Sequence, residues 1–189
     1  MRAVVLGGTF NPVHYGHLFV AEEVRAALGY DAAIFVPASQ PVHKDPVPVL
    51  DPVHRLNMLR LAVSGNDRFI VDTGEIERGG PSYSIETVSS LIPRHGIEGR
   101  PGFVIGDDLV AGFPSWKNVD ELVKIVDLIV ARRTREGPPA LKYPHRVVTN
   151  TVLPISSSEI RRRIREGRAV RYLLPDAVLA YIGDKNLYG

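Results

Sequence analysis

Short apolar runs alternate with amphipathic segments along the whole chain. Six of these runs predict strands, and several are apolar without alternation, which is typical of parallel strands covered on both faces. The six runs are "RAVVLG" (2–7), "AAIFVP" (32–37), "RFIVD" (68–72), "GFVIG" (102–106), "DLIVA" (127–131) and "RVVTNTVLP" (146–154).

The segments between the runs predict helices, because their apolar residues recur at helical spacing and their ends carry capping residues. The predicted helices are one with the apolar face Leu18, Ala21, Val24 and Leu28, one that begins at Asp51-Pro52 and contains Leu56, Leu59 and Val63, one from Ser84 through Leu91 ended by Pro93, and two near the end of the chain closed by Gly167 and Gly183.

Strand–helix alternation predicts an α/β fold, a doubly wound, Rossmann-like parallel sheet of about five to six strands flanked by helices. Ligands of such sheets bind outside the carboxyl ends of the strands, where the strand order reverses. The chain has 189 residues and is 44% hydrophobic. That suits one core, so we expect a single domain over 1–189 that includes the C-terminal helices 157–189. Stretches 37–52 and 134–144 are expected to be surface loops.

Composition excludes several classes of protein. A charged fraction of 23% argues against disorder, and a net charge of +2 is too small to imply nucleic acid, although it suits anionic ligands. Without Cys there is no disulfide framework and no thiolate metal site. The first apolar run is too short for a signal peptide, and no stretch approaches the roughly 18 residues of a membrane span. We therefore expect a cytoplasmic protein without nucleic-acid or membrane partners, and a homo-oligomer is compatible with the sequence.

The stretch "GGTFNPVHYGH" (7–17) directly follows the first predicted strand. Gly7 and Gly8 permit backbone angles closed to other residues, and they leave no side chain between backbone N–H groups and a ligand. The helix start that follows offers N–H donors and a positive dipole end, which suit phosphate. For the glycines alone, a plain strand–turn–helix junction is an equal alternative. The stretch is not the G-x-G-x-x-G fingerprint of dinucleotide binding.

Two histidines in this stretch, His14 and His17, favour phosphate, because they present N–H donors at the mouth of a glycine turn. A zinc pair is the alternative, since His ligates metal at this spacing. However, the chain has no Cys, and no Glu stands beside these residues as in H-E-x-x-H. We therefore predict an anion site and assign no metal ligand to the chain.

The stretch "ISSSEIRRRIREG" (155–167) is the second candidate site. Ser156 and Glu159 have the spacing of a capping box, so a well-capped surface helix with a solvated basic face is the alternative. Arg161 follows within the first turn, where serine hydroxyls, free amides and a guanidinium make an anion clamp. Two such motifs after strands at opposite ends of the chain can converge at one switch point.

Both motifs resemble signatures of the adenylyl- and cytidylyltransferase superfamily. Residues 8–17 match G-x-F-x-P-x-H-x-G-H, and residues 155–161 are similar to I-S-S-T-x-I-R, with Ser158 in place of Thr. The resemblance implies that the first motif holds a nucleotide triphosphate and that the second holds the β- and γ-phosphates of ATP. The ATP-binding residues that it implies are Gly7, Gly8, Thr9, Phe10, His14, Gly16, His17, Lys44, Ile155, Ser156, Ser157, Ser158 and Arg161.

Further stretches are similar to those of the bacterial nicotinate-nucleotide adenylyltransferases. These are "PVHKD" (41–45), "PSYSIET" (81–87), "IGDDLVAGFPSW" (105–116) and "YLLPDAVLAYI" (172–182). The mononucleotide-binding residues that this resemblance implies are Thr9, Ser84, Gly106, Asp108 and Trp116.

Several of these residues have other interpretations. A lysine such as Lys44 is by itself more often a solvated loop residue. Without the resemblance, Trp116 is equally a partly buried core or helix-packing residue. The chain also departs from the family pattern. Asn11 stands where Asp is frequent, "PVHK" replaces Pro-Pro-His-Lys, and Ser84 stands for Thr. The last departure concerns the choice between nicotinate and nicotinamide mononucleotide.

The resemblance implies adenylyl transfer from ATP to nicotinate mononucleotide, which forms deamido-NAD and pyrophosphate in NAD biosynthesis. Its catalytic residues are then His14, His17, Lys44 and Arg161, and Mg²⁺ is expected, held mainly by substrate phosphates and water. One alternative is another adenylyl- or cytidylyltransferase of the same fold, such as the pantetheine-phosphate type. Another is a non-catalytic nucleotide- or RNA-binding protein that uses helix 157–168, although that helix lacks the aromatics of RNA binders.

Overall fold

A computed structural model describes residues 1–42, 49–132 and 140–189 of the chain. Its strands are β1 (Ala3–Gly8), β2 (Ala32–Pro37), β3 (Gln40–Pro41), β4 (Phe69–Val71), β5 (Pro81–Ser82), β6 (Gly102–Gly106), β7 (Asp127–Ala131) and β8 (Arg146–Val148). Six of them form one sheet in the order β4-β2-β1-β6-β7-β8, and each neighbouring pair is parallel. The strands β3 and β5 form a separate parallel pair. The predicted α/β fold with a parallel sheet is confirmed.

Helices connect the strands and cover both faces of the sheet. They are α1 (Tyr15–Ala27), α2 (Pro52–Val63), α3 (Gly74–Arg78), α4 (Ser84–Arg94), α5 (Val119–Ile125), α6 (Ser157–Arg165) and α7 (Asp176–Asp184), with 3₁₀ turns at Asp107–Leu109 and Phe113–Ser115. Within the described part of the chain, every helix is too short or too polar to cross a bilayer.

The core lies in two layers on either side of the sheet, and β1 contributes to both. Val4 and Leu6 face one hydrophobic cluster, which also contains residues of α1, α2, α6 and α7. Ala3 and Val5 face the other cluster, against α4 and α5. Successive side chains of a strand point to opposite faces, so an uninterrupted apolar run is what a strand covered on both sides requires.

Several element ends differ from the prediction. The last strand was predicted over 146–154 but ends at Val148, because only three residues of β7 remain to pair with it. The third predicted helix continues through Pro93 to Arg94, since a proline in the last turn removes only one N–H. Gly183 lies inside α7, which ends one residue later, whereas Gly167 follows α6 in the left-handed conformation as predicted.

Four short elements have no counterpart in the predicted pattern. They are β3, β5, α3 and α5, and each has at most seven residues. Elements of this length contain too few residues to display a period, so tertiary contacts decide their formation.

The C-terminal helix α7 packs on α2 through a polar contact as well as through the core. Asn57 donates to the Tyr181 hydroxyl at 3.1 Å, and His54 Nδ1 lies 2.9 Å from the same oxygen. Val178 and Ile160, from α7 and α6, are fully buried in the first cluster. The end of the chain is thereby fixed against its N-terminal half.

Replacing Tyr181 by Phe should lower the free energy of unfolding by about 1 kcal/mol, because His54 and Asn57 lose a half-buried partner. Urea unfolding followed by circular dichroism measures this change. Tyr172→Phe is the matched control, since Tyr172 is 80% exposed, and it should leave stability unchanged. Equal stability of the two variants would contradict the assigned contact.

Candidate functional site

Two adjoining cavities lie at the carboxyl ends of β1 and β6, where the strand order reverses. The chain leaves β1 for β2 on one side of the sheet, while β6, β7 and β8 extend it on the other. The cavities measure about 350 and 470 Å³. Their common wall contains Gly7, Phe10, His17, Val104, Asp108, Leu109 and Ser156. This is the position at which sheets of this type bind ligands.

The glycines of the first motif provide space. Neither Gly7 nor Gly8 has a positive φ, so the expectation of unusual backbone angles there is wrong; Phe10 adopts the left-handed region instead, with φ 48°. A Cβ atom on Gly8 would lie 3.0 Å from the Phe10 ring, and one on Gly16 would lie 3.0 Å from the His14 ring. A Cβ on Gly7 would meet no atom within 4 Å, so this residue leaves the cavity open.

The two histidines lie at the start of α1, one as its N-cap and one in its first turn. The backbone N–H of His14 donates to Nδ1 of His17 at 3.2 Å. Because Nδ1 accepts this bond, the neutral His17 ring carries its proton on Nε2. The ring centroids are 3.8 Å apart, and the Phe10 ring contacts His17 with an edge at 5.1 Å. His14 lines the smaller cavity and His17 lines both, so His17 offers an N–H donor at their boundary.

The second motif contacts the first directly. The Ser157 hydroxyl donates to the Pro12 carbonyl at 2.8 Å, and Arg161 Nη1 donates to the Asn11 carbonyl at 2.7 Å. These partners are 145 and 150 positions apart in the sequence. Arg161 Nη2 also donates to the Ser158 hydroxyl at 3.2 Å. Burial lowers the pKa of Arg161, but a guanidinium stays charged at any physiological pH. The predicted convergence of the two ends of the chain is therefore present.

Three successive arginines of α6, Arg161, Arg162 and Arg163, have two kinds of partner. The Ser156 hydroxyl accepts from the Glu159 N–H at 3.2 Å, which is half of the predicted capping box. The Glu159 carboxylate does not complete the box, because it pairs with Arg162 and Arg163, each at 2.7 Å. The surface interpretation thus holds for these two arginines, whereas Arg161 turns toward the first motif.

The residues predicted for a mononucleotide lie mostly around the larger cavity. Thr9, Ser84 and Trp116 line it, and Asp108 lies in the common wall, but Gly106 borders only the smaller cavity. Trp116 also packs on the rings of the core, with centroids 5.0 Å from Phe113 and 6.3 Å from Phe103. Trp116 is therefore a packing residue that also borders the larger cavity, and its contact with a mononucleotide stays a prediction.

The remaining predicted ATP residues divide between the two cavities. Ile155 and Gly16 line the smaller one, while Gly8 and Ser158 line the larger one. Lys44 lies outside the described residues. Over 1–42, 49–132 and 140–189, no three His, Asp or Glu side chains are grouped to hold a metal ion.

Three residues near the cavities were not predicted. Arg132 follows β7 and lines the smaller cavity. Because ligands bind at the carboxyl ends of parallel strands, its place directly after a predicted strand could have marked it as a site residue. Arg55 is fully buried on the same helical face as Met58 and Leu59, and a lone charge in an apolar stripe is a visible signal. Tyr188, whose hydroxyl donates to Asn11 Oδ1 at 2.7 Å, had no such signal. Burial raises the pKa of Tyr188, so its hydroxyl keeps the proton it donates.

The sequence matches known families over most of its length. Residues 5–163 match the family model described as cytidylyltransferase-like. A protein of Borrelia garinii subsp. bavariensis named "Probable nicotinate-nucleotide adenylyltransferase" is 41% identical over 188 residues, which cover 100% of this chain and 95% of the relative. A protein of the same name from Lactiplantibacillus plantarum is 42% identical over 187 residues, 99% of this chain and 88% of the relative.

The fold also matches a solved structure. Nicotinic acid mononucleotide adenylyltransferase of Plasmodium falciparum, complexed with NaAD, superposes with a TM-score of 0.80 at 17% identity. The match covers 100% of this chain and 98% of that structure, and at this identity it concerns the fold. The family model and the full-length sequence relatives show that the chain belongs to the cytidylyltransferase-like family and, within it, to the nicotinate-nucleotide adenylyltransferases.

Proposed function

We propose that this protein transfers the adenylyl group of ATP to nicotinate mononucleotide, forming deamido-NAD and pyrophosphate in NAD biosynthesis, and that it does so in the cytoplasm as one nucleotidyltransferase domain over 1–189. The observation that carries the proposal is the contact of Ser157 and Arg161 with the first motif, which brings both motifs to the larger of two adjoining cavities. Two adjoining cavities suit a reaction that joins two nucleotides.

In this proposal ATP occupies the smaller cavity and extends its phosphates along the common wall. The smaller cavity has an apolar lining that suits adenine, including Val20, Val104 and Pro154. The proposed ATP contacts are Gly7, Gly8, Thr9, Phe10, His14, Gly16, His17, Lys44, Ile155, Ser156, Ser157, Ser158 and Arg161. The Ser157 hydroxyl donates its proton to the Pro12 carbonyl, so we expect Ser157 to contact phosphate through its backbone N–H at the start of α6.

The mononucleotide occupies the larger cavity. Trp116 offers a ring face or edge to the pyridine, because its other contacts fix it against Phe113. Ser84 and Thr9 supply polar groups beside it, and Asp108 accepts hydrogen bonds from ribose hydroxyls. Gly106, which borders the smaller cavity, lies next to Asp108 in the chain and completes the ribose side.

The reaction forms a bond between a 5′-phosphate oxygen of the mononucleotide and the α-phosphorus of ATP, while the bond from that phosphorus to the oxygen of the leaving pyrophosphate breaks. The attacking oxygen is already anionic, so no general base is needed. The protein must align two anions and stabilise the charge of the transition state. His17 donates from Nε2 to the α-phosphate beside His14, and Lys44 with Arg161 holds the pyrophosphate.

Enzymes of this family generally use a divalent metal ion, and we propose Mg²⁺. The polar side chains of the common wall are one imidazole, His17, one hydroxyl, Ser156, and one carboxylate, Asp108, and no three described His, Asp or Glu side chains are grouped to hold a metal ion. This donor set fits a cation that the phosphates and water hold. When bound, the ion would neutralise charge on the leaving pyrophosphate.

The other candidate functions lack such support. A basic RNA-binding face on α6 is disfavoured because Arg162 and Arg163 are paired with Glu159, and Arg162 also with Glu166. Transfer to a phosphopantetheine acceptor is disfavoured by the full-length similarity to nicotinate-nucleotide adenylyltransferases.

Purified protein with ATP and Mg²⁺ should convert nicotinate mononucleotide into deamido-NAD and pyrophosphate. Nicotinamide mononucleotide should give a lower kcat/KM, and phosphopantetheine should give no product. Mass spectrometry of the products with a pyrophosphate assay measures all three, and EDTA in place of Mg²⁺ should stop turnover. Product from phosphopantetheine alone, or from none of the acceptors, would refute the proposed function.

His17→Ala should lower kcat by about 10²–10³-fold, the usual cost of losing one donor that stabilises transition-state charge. His145→Ala is the control, because His145 is exposed and contacts the Tyr143 carbonyl away from both cavities. Steady-state kinetics, with circular dichroism to confirm folding, gives the comparison. A folded His17→Ala enzyme with the wild-type rate would remove His17 from the reaction.

Arg161→Ala should raise KM for ATP more than KM for the mononucleotide, because in our proposal the pyrophosphate of ATP extends past the common wall to Arg161, which lines the larger cavity and contacts the first motif. Arg165→Ala removes the same charge from the exposed face of the same helix and should change neither constant more than about twofold. Initial rates over a matrix of both substrates separate the constants. Equal effects of the two variants would mean that only net charge matters.

A further inference from the structure

Arg55 is a fully buried arginine in α2. It shares its helical face with Met58 and Leu59, both at 0% exposure. Moving a guanidinium from water into such a position is costly unless every N–H finds an acceptor. Burial lowers the pKa of Arg55, yet the group remains charged.

All the described hydrogen bonds of Arg55 end on backbone carbonyl oxygens. Nη1 donates to Thr9 at 2.9 Å, Nη2 to Ser39 at 3.2 Å, and Nε to Leu50 at 3.0 Å. No carboxylate in the described ranges lies within ion-pair distance of it. An apolar residue of similar size would stabilise the fold about as well as a buried charge of this kind. Stability alone therefore does not explain why an arginine occupies position 55.

The three carbonyls belong to different parts of the site. Thr9 lies in the first motif and lines the larger cavity. Ser39 follows β2, and while its carbonyl accepts from Arg55, its backbone N–H donates to the Ser82 hydroxyl at 2.9 Å. Ser82 lies in β5, two residues before Ser84, and also lines the larger cavity. Leu50 precedes α2 itself.

The Arg55 guanidinium therefore connects the first motif, through Thr9, to the strand pair β3–β5 beside the mononucleotide cavity, through Ser39 and Ser82. We propose that Arg55 is a positioning residue that sets the separation between the ATP side and the mononucleotide side of the site, an inference that rests on the proposed function. It touches neither substrate. It acts through Thr9 and through the path from Ser39 to Ser82.

Arg55→Lys is the informative change, because lysine is also a cation but lacks the planar, forked set of N–H donors of a guanidinium. A lysine ammonium has no fixed plane and cannot reach carbonyls in three directions with the same geometry. Each half of the site keeps its own contacts, so substrate binding should persist while the alignment of the two phosphates fails. Misplacement of reacting groups by about 1 Å costs roughly 10²-fold in rate.

The experiment compares wild type, Arg55→Lys and Arg60→Lys with ATP, Mg²⁺ and nicotinate mononucleotide. Arg60 is exposed on the same helix and serves as the control. We expect kcat of Arg55→Lys to fall about 10²-fold per folded molecule, with each KM within about threefold of wild type. Thermal unfolding measures the folded fraction. Arg60→Lys should match wild type in every quantity.

A folded Arg55→Lys enzyme with wild-type kcat overturns the inference, and so does a variant whose loss lies only in the folded fraction. If Arg55→Lys does not fold, the same assay uses Ser82→Ala, which cuts the path at a residue outside the two main clusters. The kcat of Ser82→Ala should be about tenfold lower than that of the wild type, with KM unchanged, whereas a wild-type kcat overturns the inference. An inactive wild type refutes the proposed function and this inference with it, whereas an active wild type with an active Arg55→Lys refutes the inference alone.

Discussion

The contact between α6 and residues 11–12 is the interaction on which the site depends. Ser157 and Arg161 donate to two successive backbone carbonyls, those of Pro12 and Asn11, and so fix the start of α6 beside the start of α1. Residues from the starts of both helices, His17 and Ser156, then lie in the common wall of the two cavities. Without these bonds the imidazoles and the guanidinium would belong to separate surfaces, and neither surface alone could align two anionic substrates.

The two arginines behind the site, Arg161 and Arg55, bond to uncharged oxygens and so keep their positive charge. Asn11 accepts from Arg161 through its backbone carbonyl oxygen and from Tyr188 through its side-chain oxygen Oδ1. Arg55 likewise ends on carbonyl oxygens. A carbonyl orients a guanidinium without neutralising it, so both arginines retain an electrostatic attraction for phosphate. By contrast, Arg162 and Arg163 on the outer face of α6 pair with Glu159, and Arg162 also pairs with Glu166.

Rigidity of the site comes from packing behind it. The sheet supplies β1 from its centre, with core residues on both faces, and the last helix holds α2 in place through Tyr181. Because α2 carries Arg55, the end of the chain supports the first motif along a second path, in addition to Tyr188 on Asn11. Positioning groups held by a packed core keep reacting groups within the small tolerance that catalysis by alignment requires.

The sequence by itself determined the strand–helix order, the strands at 32–37, 102–106 and 127–131, and the two motifs, because these depend on local periodicity, capping and a distinctive spacing of residues. It did not determine the short elements, the end of β8 or the roles of Arg55 and Tyr188. Nor did it show that the missing Cβ of Gly8 makes room for the Phe10 ring. Those features depend on partners far away in the chain, and only tertiary structure decides which distant carbonyl or ring a residue meets.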